Sequence, residues 1–372
     1  MKNTFGNNIS LTLFGESHGE AIGAVLDGLA PGIPVDRDEI ARYLTLRRPA
    51  GAISTARAEA DEFSIVSGVF EGYTTGTPIC IMIPNADTRS RDYSKAAELA
   101  RPGHADYTAE CKYHGYQDYR GGGHFSGRIT APIVAAGAIL ISALRAKGIK
   151  IGTHISSLAG IRDRRFDESR AAEEIDALNS ATFALLDPSL EEKMVAEILE
   201  AKSELDSVGG VLETMVTGMP VGVGEPWFDS VEGMLSHALF SIPAVKGVEF
   251  GGGFALSDMR GSEVNDSFRI SGDRIITETN NNGGINGGIT NGMPISFRVA
   301  IKPTPSIARA QNTVNIAKNE NAVLELIGRH DPAIVHRARV VIDCVTALVL
   351  SDMLTGRYGT DWLSCGKHKH EL

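Results

Sequence analysis

The sequence predicts an α+β fold rather than a regular βαβ winding. Strand-like and helix-like segments alternate irregularly, long loops separate them, and 41 glycines in 372 residues mark many tight turns. No segment repeats at a fixed period, and no Pro/Ser-rich or single-sign charge block announces a linker. The chain therefore reads as one interleaved domain over 1–372, with a flexible tail from about 360.

In chain order, Ile9 to Phe14 reads as a strand. Asp36 followed by Glu39 has the form of a capping box, and the helix it opens carries Ile40 and Leu44 on one face until Arg47-Arg48 meets Pro49. Ser64 to Val69 and Pro78 to Ile83 read as strands, the second apolar at nearly every position and so expected to be buried on both faces. Thr130 to Lys147 predicts an apolar helix closed by Gly148. Asp187 as cap with Pro188 in the first turn predicts another, striped by Leu190, Met194, Val195, Ile198 and Leu199. Val211 to Thr217 and Ile295 to Val299 follow as strands, and Val340 to Leu354 as an apolar helix.

A formal charge of −10 argues against a nucleic-acid coat or an acidic-membrane binder, since both need a net basic face. Any anion site must then be a local basic cluster. The residues after Met1-Lys2 lack the apolar core of a secretory signal, and the uncharged run Ile129 to Leu144 is shorter than the roughly 20 residues that span a bilayer. A cytoplasmic chain is expected. Cys80, Cys111, Cys344 and Cys365 have no CxxC spacing and read as reduced thiols. His368 and His370 in the tail read as solvated, and no metal site is expected.

Five polar clusters interrupt the apolar elements. Gly15-Glu16-Ser17-His18-Gly19 is either a turn with a surface histidine or a loop that brings backbone and imidazole to a ligand. Arg101-Pro102-Gly103-His104-Ala105-Asp106 is either an ordinary loop with an Arg101–Asp106 pair or a guanidinium and imidazole set for an anion. Asp118 to Arg128 places Gly121-Gly122-Gly123 just before a helix start, where backbone N–H groups and the helix dipole form an anion cradle. Asn280 to Ile289 is a glycine-asparagine loop, and the strand after it ends in Lys302-Pro303-Thr304-Pro305-Ser306. Gly328-Arg329-His330-Asp331-Pro332 sets another arginine and histidine beside a carboxylate. Neither a Walker pattern nor a Ser-His-Asp or HExxH spacing occurs, so the residues alone point to acid–base chemistry on a phosphorylated or polycarboxylate substrate. An FMN reductase and a non-catalytic anion-binding protein remain as alternatives.

The same clusters, with Arg47-Arg48-Pro49, Gly68-Val69-Phe70-Glu71-Gly72 and Ala244-Val245-Lys246-Gly247-Val248-Glu249, resemble the chorismate synthase family from Phe14 to Pro332. The resemblance implies antiparallel β-sheets sandwiched with α-helices and a homotetramer. It implies conversion of 5-enolpyruvylshikimate 3-phosphate to chorismate by an anti-1,4-elimination that requires reduced FMN without net redox change. NADPH, or a separate flavin reductase, would supply the reducing equivalents.

By the same resemblance, His18 protonates the leaving phosphate, His104 serves the reduced flavin and Asp331 is the base. FMN contacts carry over to His124, Phe125, Ser126, Pro243, Ala244, Gly287, Lys302, Pro303, Thr304, Pro305, Ser306 and Arg329. Arg47 is the NADPH-associated arginine, and Arg47, Arg48, Arg101 and Arg128 face the substrate's anions. The chain departs from the family at His124, at Leu46, and near Ile53, where an arginine is usual; Arg57 is the nearby candidate to replace the last of these.

Overall fold

The computed structural model describes residues 2–49, 51–55, 61–85, 98–326 and 331–364. Its helices are α1 (Arg37–Arg47), α2 (Asp106–Tyr113), α3 (Thr130–Ala146), α4 (Ala171–Ser180), α5 (Glu191–Ser203), α6 (Val231–Leu239), α7 (Gly261–Val264) and α8 (Val335–Tyr358). Two five-stranded antiparallel sheets form the body of the fold, and the remaining described strands pair in four two-stranded sheets. In the first, Thr4–Phe5, Ser10–Gly15, Ala21–Asp27, Ile79–Pro84 and Ser64–Ser67 lie side by side, with Leu11 opposite Leu26 and Ala24 opposite Ile81. The second runs Val245–Phe250, Ile295–Ile301, Gly210–Thr217, Lys150–Leu158 and Ile161–Arg162.

The helical layer sits between the sheets because each sheet turns one apolar face inward. Ile22, Ala24 and Leu26, at period two, and Ile79, Ile81 and Ile83 beside them are at most 1% exposed where α3 packs on the first sheet. On the other side, α8 packs on the Lys150–Leu158 and Gly210–Thr217 strands, and α3 packs on α8. Their approach is close at Gly137, where a Cβ would stand 2.2 Å from Cys344 Cβ. One core runs through both sheets and both helices, so the α+β sandwich expected from the sequence is the fold observed.

Local signals set most boundaries. Asp36 accepts from the N–H groups of Asp38 and Glu39 at the start of α1, and Arg48 caps its end. Asp187 accepts from Ser189 N ahead of α5, with Pro188 in a short 3-10 turn. Three expectations are corrected. Only alternate residues of Ile79–Pro84 are buried, with Cys80 and Met82 half-buried, since helices cover one face of that strand. The run from Ser64 breaks at Gly68, whose φ of +82° ends the strand at Ser67. α8 begins at Val335 rather than near 340, because buried polar His336 and Arg339 interrupt the apolar pattern of its first turns.

After α8, Thr360–Leu363 forms a 3-10 turn with Leu363 buried and Trp362 stacked on Tyr358 at 5.3 Å. The segment Gly127–Ala146 is long and apolar enough by length and composition to cross a membrane, yet most of it is buried inside the protein, as a core helix is.

The outer face of the second sheet is covered by α4, with Gly152 against Ile175. There His154, fully enclosed, lies between Asp163 (Nδ1 to Oδ2, 3.0 Å) and Glu213 (Nε2 to Oε2, 2.9 Å).

Candidate active site

The Ser10–Gly15 strand delivers the Gly15–Gly19 loop to the glycine run that precedes α3. Ser17 N donates to Gly123 O at 3.1 Å, and His124 Nδ1 lies 2.8 Å from Gly15 O. Gly121, with φ +59°, lies so close to the His18 imidazole that a Cβ would sit 2.1 Å from His18 Cε1. Ser17 and His18 are 1% and 7% exposed, which overturns the surface-histidine alternative for this loop.

In the second cluster the Arg101–Asp106 pair of the plainer reading is present. Arg101 forms a forked pair with Asp106 at 2.7 Å through Nε and Nη2. Burial pushes the Asp106 carboxyl up, but Arg101 outweighs this and holds it below the usual carboxylate range. The same guanidinium reaches the glycine run, with Nη2 3.9 Å from where a Gly122 Cβ would stand. Next to it, His104 Nε2 lies 2.7 Å from Ser306 Oγ, and Lys302 Nζ donates to Gly103 O at 2.8 Å. Lys302 N in turn donates to Ala244 O at 3.0 Å. Residues more than 200 positions apart thus form one contact chain, from His18 through Gly121–Gly122 and Arg101 to His104, the Lys302–Ser306 loop and Ala244.

Arg47 and Arg128 lie deeper. Both are buried and both pair with Asp61: Arg47 Nη2 to Oδ2 at 2.6 Å, and Arg128 Nη1 to Oδ1. Burial raises the Asp61 carboxyl, but the guanidinium of Arg47 and then that of Arg128 hold it below its ordinary value. Burial pulls the Arg47 guanidinium down, against the attraction of Asp61. Arg337 lies near enough to act on Arg47 and pairs with Asp331, whose Oδ1 also accepts from Thr55 N at 2.8 Å.

Other expected site residues are placed less centrally. Arg48 turns back to Thr45, Pro243 is exposed beside Ala244, and Phe125 is 44% exposed with its edge toward Tyr113. Ser126 caps the 3-10 turn ahead of α3 by accepting from Arg128 N. Gly287 is exposed on a hairpin whose neighbour is the 221–231 segment. Arg329, His330 and Arg57 lie outside the described residues. Asp61, Asn85 and Arg337 were not singled out from the sequence. Asp61 is 14 positions from one arginine and 67 from the other, a juxtaposition with no local signal.

Two hydroxyls on these loops are left for a ligand to satisfy. Ser17 Oγ and Thr304 Oγ1 are buried with no hydrogen-bond partner among the described residues, one on the His18 loop and the other on the Lys302–Ser306 loop. A separate open cleft between α1, α3 and α4 offers less, because Arg42 and Arg145 are paired with Glu39 and Lys150 with Asp176.

The chain matches the sequence model of the family described as Chorismate synthase over residues 9–355. A chorismate synthase of Pyrococcus abyssi is 47% identical over 352 residues, covering 95% of this chain and 97% of its own length. One of Dehalococcoides mccartyi is 46% identical over 354 residues, covering 95% and 96%. A crystal structure of chorismate synthase superposes with a TM-score of 0.76 at 30% identity, covering 96% of this chain and 95% of that one.

Proposed function

The chain belongs to the chorismate synthase family, and we propose from its geometry how its residues divide the work of the reaction. It is a carbon–oxygen lyase that removes phosphate and a proton from 5-enolpyruvylshikimate 3-phosphate to give chorismate. The observation that carries the assignment of roles is the contact chain joining His18, Arg101, His104 and the Lys302–Ser306 loop.

The substrate brings two carboxylates and a phosphate into a pocket that must supply positive charge without water. Arg47, Arg48, Arg101 and Arg128 provide it, with Arg329 as the family's further contact. His18 gives its proton to the phosphate oxygen as the carbon–oxygen bond breaks, since a protonated leaving group is expelled at lower cost. Asp331, held in place by Arg337 and Thr55 N, takes up the proton lost from carbon.

Reduced FMN, when bound, supplies electron density to the elimination and recovers it. For its binding we assign His124, Phe125, Ser126, Pro243, Ala244, Gly287 and Lys302 to Ser306; the partnerless Thr304 hydroxyl supports this for the last loop. His104, fixed by Ser306 Oγ, donates a hydrogen bond to the reduced ring. Reduction comes from outside the chain, from a separate flavin reductase: the burial of Arg47 against Asp61 and the missing arginine at Ile53 both weigh against an NADPH site there. We further propose a cytoplasmic homotetramer serving the shikimate pathway to the aromatic amino acids.

The test is an anaerobic incubation of the protein with enolpyruvylshikimate phosphate and dithionite-reduced FMN, following chorismate absorbance and released phosphate. Equimolar products only with reduced FMN support the reading. Consumption of NADPH without phosphate release would support an FMN reductase instead, and light scattering of the purified protein reads the tetramer.

A further inference from the structure

One buried polar network lies behind the His18 loop rather than at its face. Asp61 is fully enclosed, with its backbone at φ +51°, and its two oxygens hold two guanidinia. Beyond Asp61, Arg128 spreads its other donors over the end of the first sheet. Nε reaches Asn85 Oδ1 at 3.2 Å and Nη2 reaches Pro84 O at 3.5 Å. A guanidinium has donors only, so the Asn85 amide must present its oxygen to Arg128. Its Nδ2 is then forced the other way, where it donates to Glu16 O and Gly19 O, both at 2.9 Å. Those carbonyls flank His18. Asn85 N also donates to Glu20 O at 3.1 Å, which makes the strap a double one.

We propose that Asp61 is a positioning residue that acts through Arg128 and Asn85 to fix the loop bearing His18; the proposal rests on His18 being the acid of the reaction. The chain of contacts has one sense at every link. The carboxylate orients the guanidinium, the guanidinium orients the amide, and the amide holds the two carbonyls between which His18 stands. Gly121 and Gly123 hold the same loop at two further points, through close approach to the imidazole and through Gly123 O, which accepts from Ser17 N. A loop gripped at all these points keeps its imidazole on the leaving oxygen without help from substrate.

The test is a double-mutant cycle on the full-length protein, reading kcat with reduced FMN. Asp61→Asn, Asn85→Ala and His18→Ala are made singly, and the first two are combined with the third. Each single substitution is expected to lower kcat by about tenfold or more. In the His18→Ala background, Asp61→Asn and Asn85→Ala should each cost no more than about twofold, because there is no imidazole left to misplace. A purely structural role would instead cost the same in both backgrounds, which overturns the proposal, as does a wild-type rate for both Asp61→Asn and Asn85→Ala. Should Asp61→Asn melt too early to assay, Asn85→Ala carries the test alone, since it leaves both ion pairs in place. An impaired His18→Ala beside unimpaired relay variants removes the proposal alone, whereas a wild-type rate for His18→Ala removes the acid assignment as well.

Discussion

Gly121→Ala is the sharpest perturbation of the site. The new methyl would stand 2.1 Å from His18 Cε1 and 2.3 Å from Nδ1, against an ordinary carbon–carbon contact of about 3.5–4.0 Å. Something must therefore retreat by about 1.5 Å. The backbone at Gly121 is tied into a three-glycine run, and Gly122 N donates to Tyr119 O at 3.2 Å, so the His18 ring is the part that yields. A misplacement of about 1 Å costs roughly 100-fold in rate, and the left-handed backbone adds about 1–2 kcal/mol of strain for any L side chain. The expected outcome is a kcat reduced at least about 100-fold, with a melting temperature only a few degrees lower. Chorismate absorbance under anaerobic conditions with reduced FMN reads the rate, and circular dichroism the melt. A Gly121→Ala protein within twofold of the wild-type kcat would show that His18 is not held there for the reaction.

Three further outcomes follow from the same geometry. Asp331→Asn should lower kcat by about 100-fold or more while FMN binding, read by flavin fluorescence, is retained; equal loss of both would place Asp331 in binding rather than proton transfer. Lys302→Ala removes the donor to Gly103 O and should weaken FMN binding about tenfold, measured by fluorescence titration. His154 and His336, both buried, should shape the pH dependence of the melting temperature. Burial pulls the His154 imidazole down, but the carboxylates of Asp163 and Glu213 outweigh it and raise its pKa above 6.5. Its stabilisation is therefore full below about pH 6.5 and lost as pH rises through the raised value. Burial, then Arg337 and Arg339, pushes His336 down to about 3, so its contribution is present above about pH 6.5 and lost as pH falls toward 3. His154→Gln should flatten the alkaline limb only; an unchanged limb would refute the assignment.

Local order was legible wherever the cause is local. Asp36 before Glu39, Asp187 before Pro188 and the apolar run from Thr130 mark their helices because capping and periodicity act within a turn or two of chain. The start of α8 was hidden, because His336 and Arg339 are buried polar residues whose partners, Ser54 Oγ and Ala181 O, come from distant segments. Motif order also sufficed to identify the family and, with it, the sandwich and the reaction.

What the sequence by itself determined is the inventory: a net acidic chain with local basic clusters, glycine runs beside histidines, and a lysine-bearing loop after an apolar strand. Only the tertiary structure decided which of these groups share charge and which share a loop. It set Arg47 and Arg128 on one carboxylate at Asp61, turned His18 inward against Gly121, and strapped its loop with Asn85. The physical reason is that buried charges and amides need partners. Here those partners come from segments the chain separates widely and the packing of the two sheets on α3 and α8 brings together.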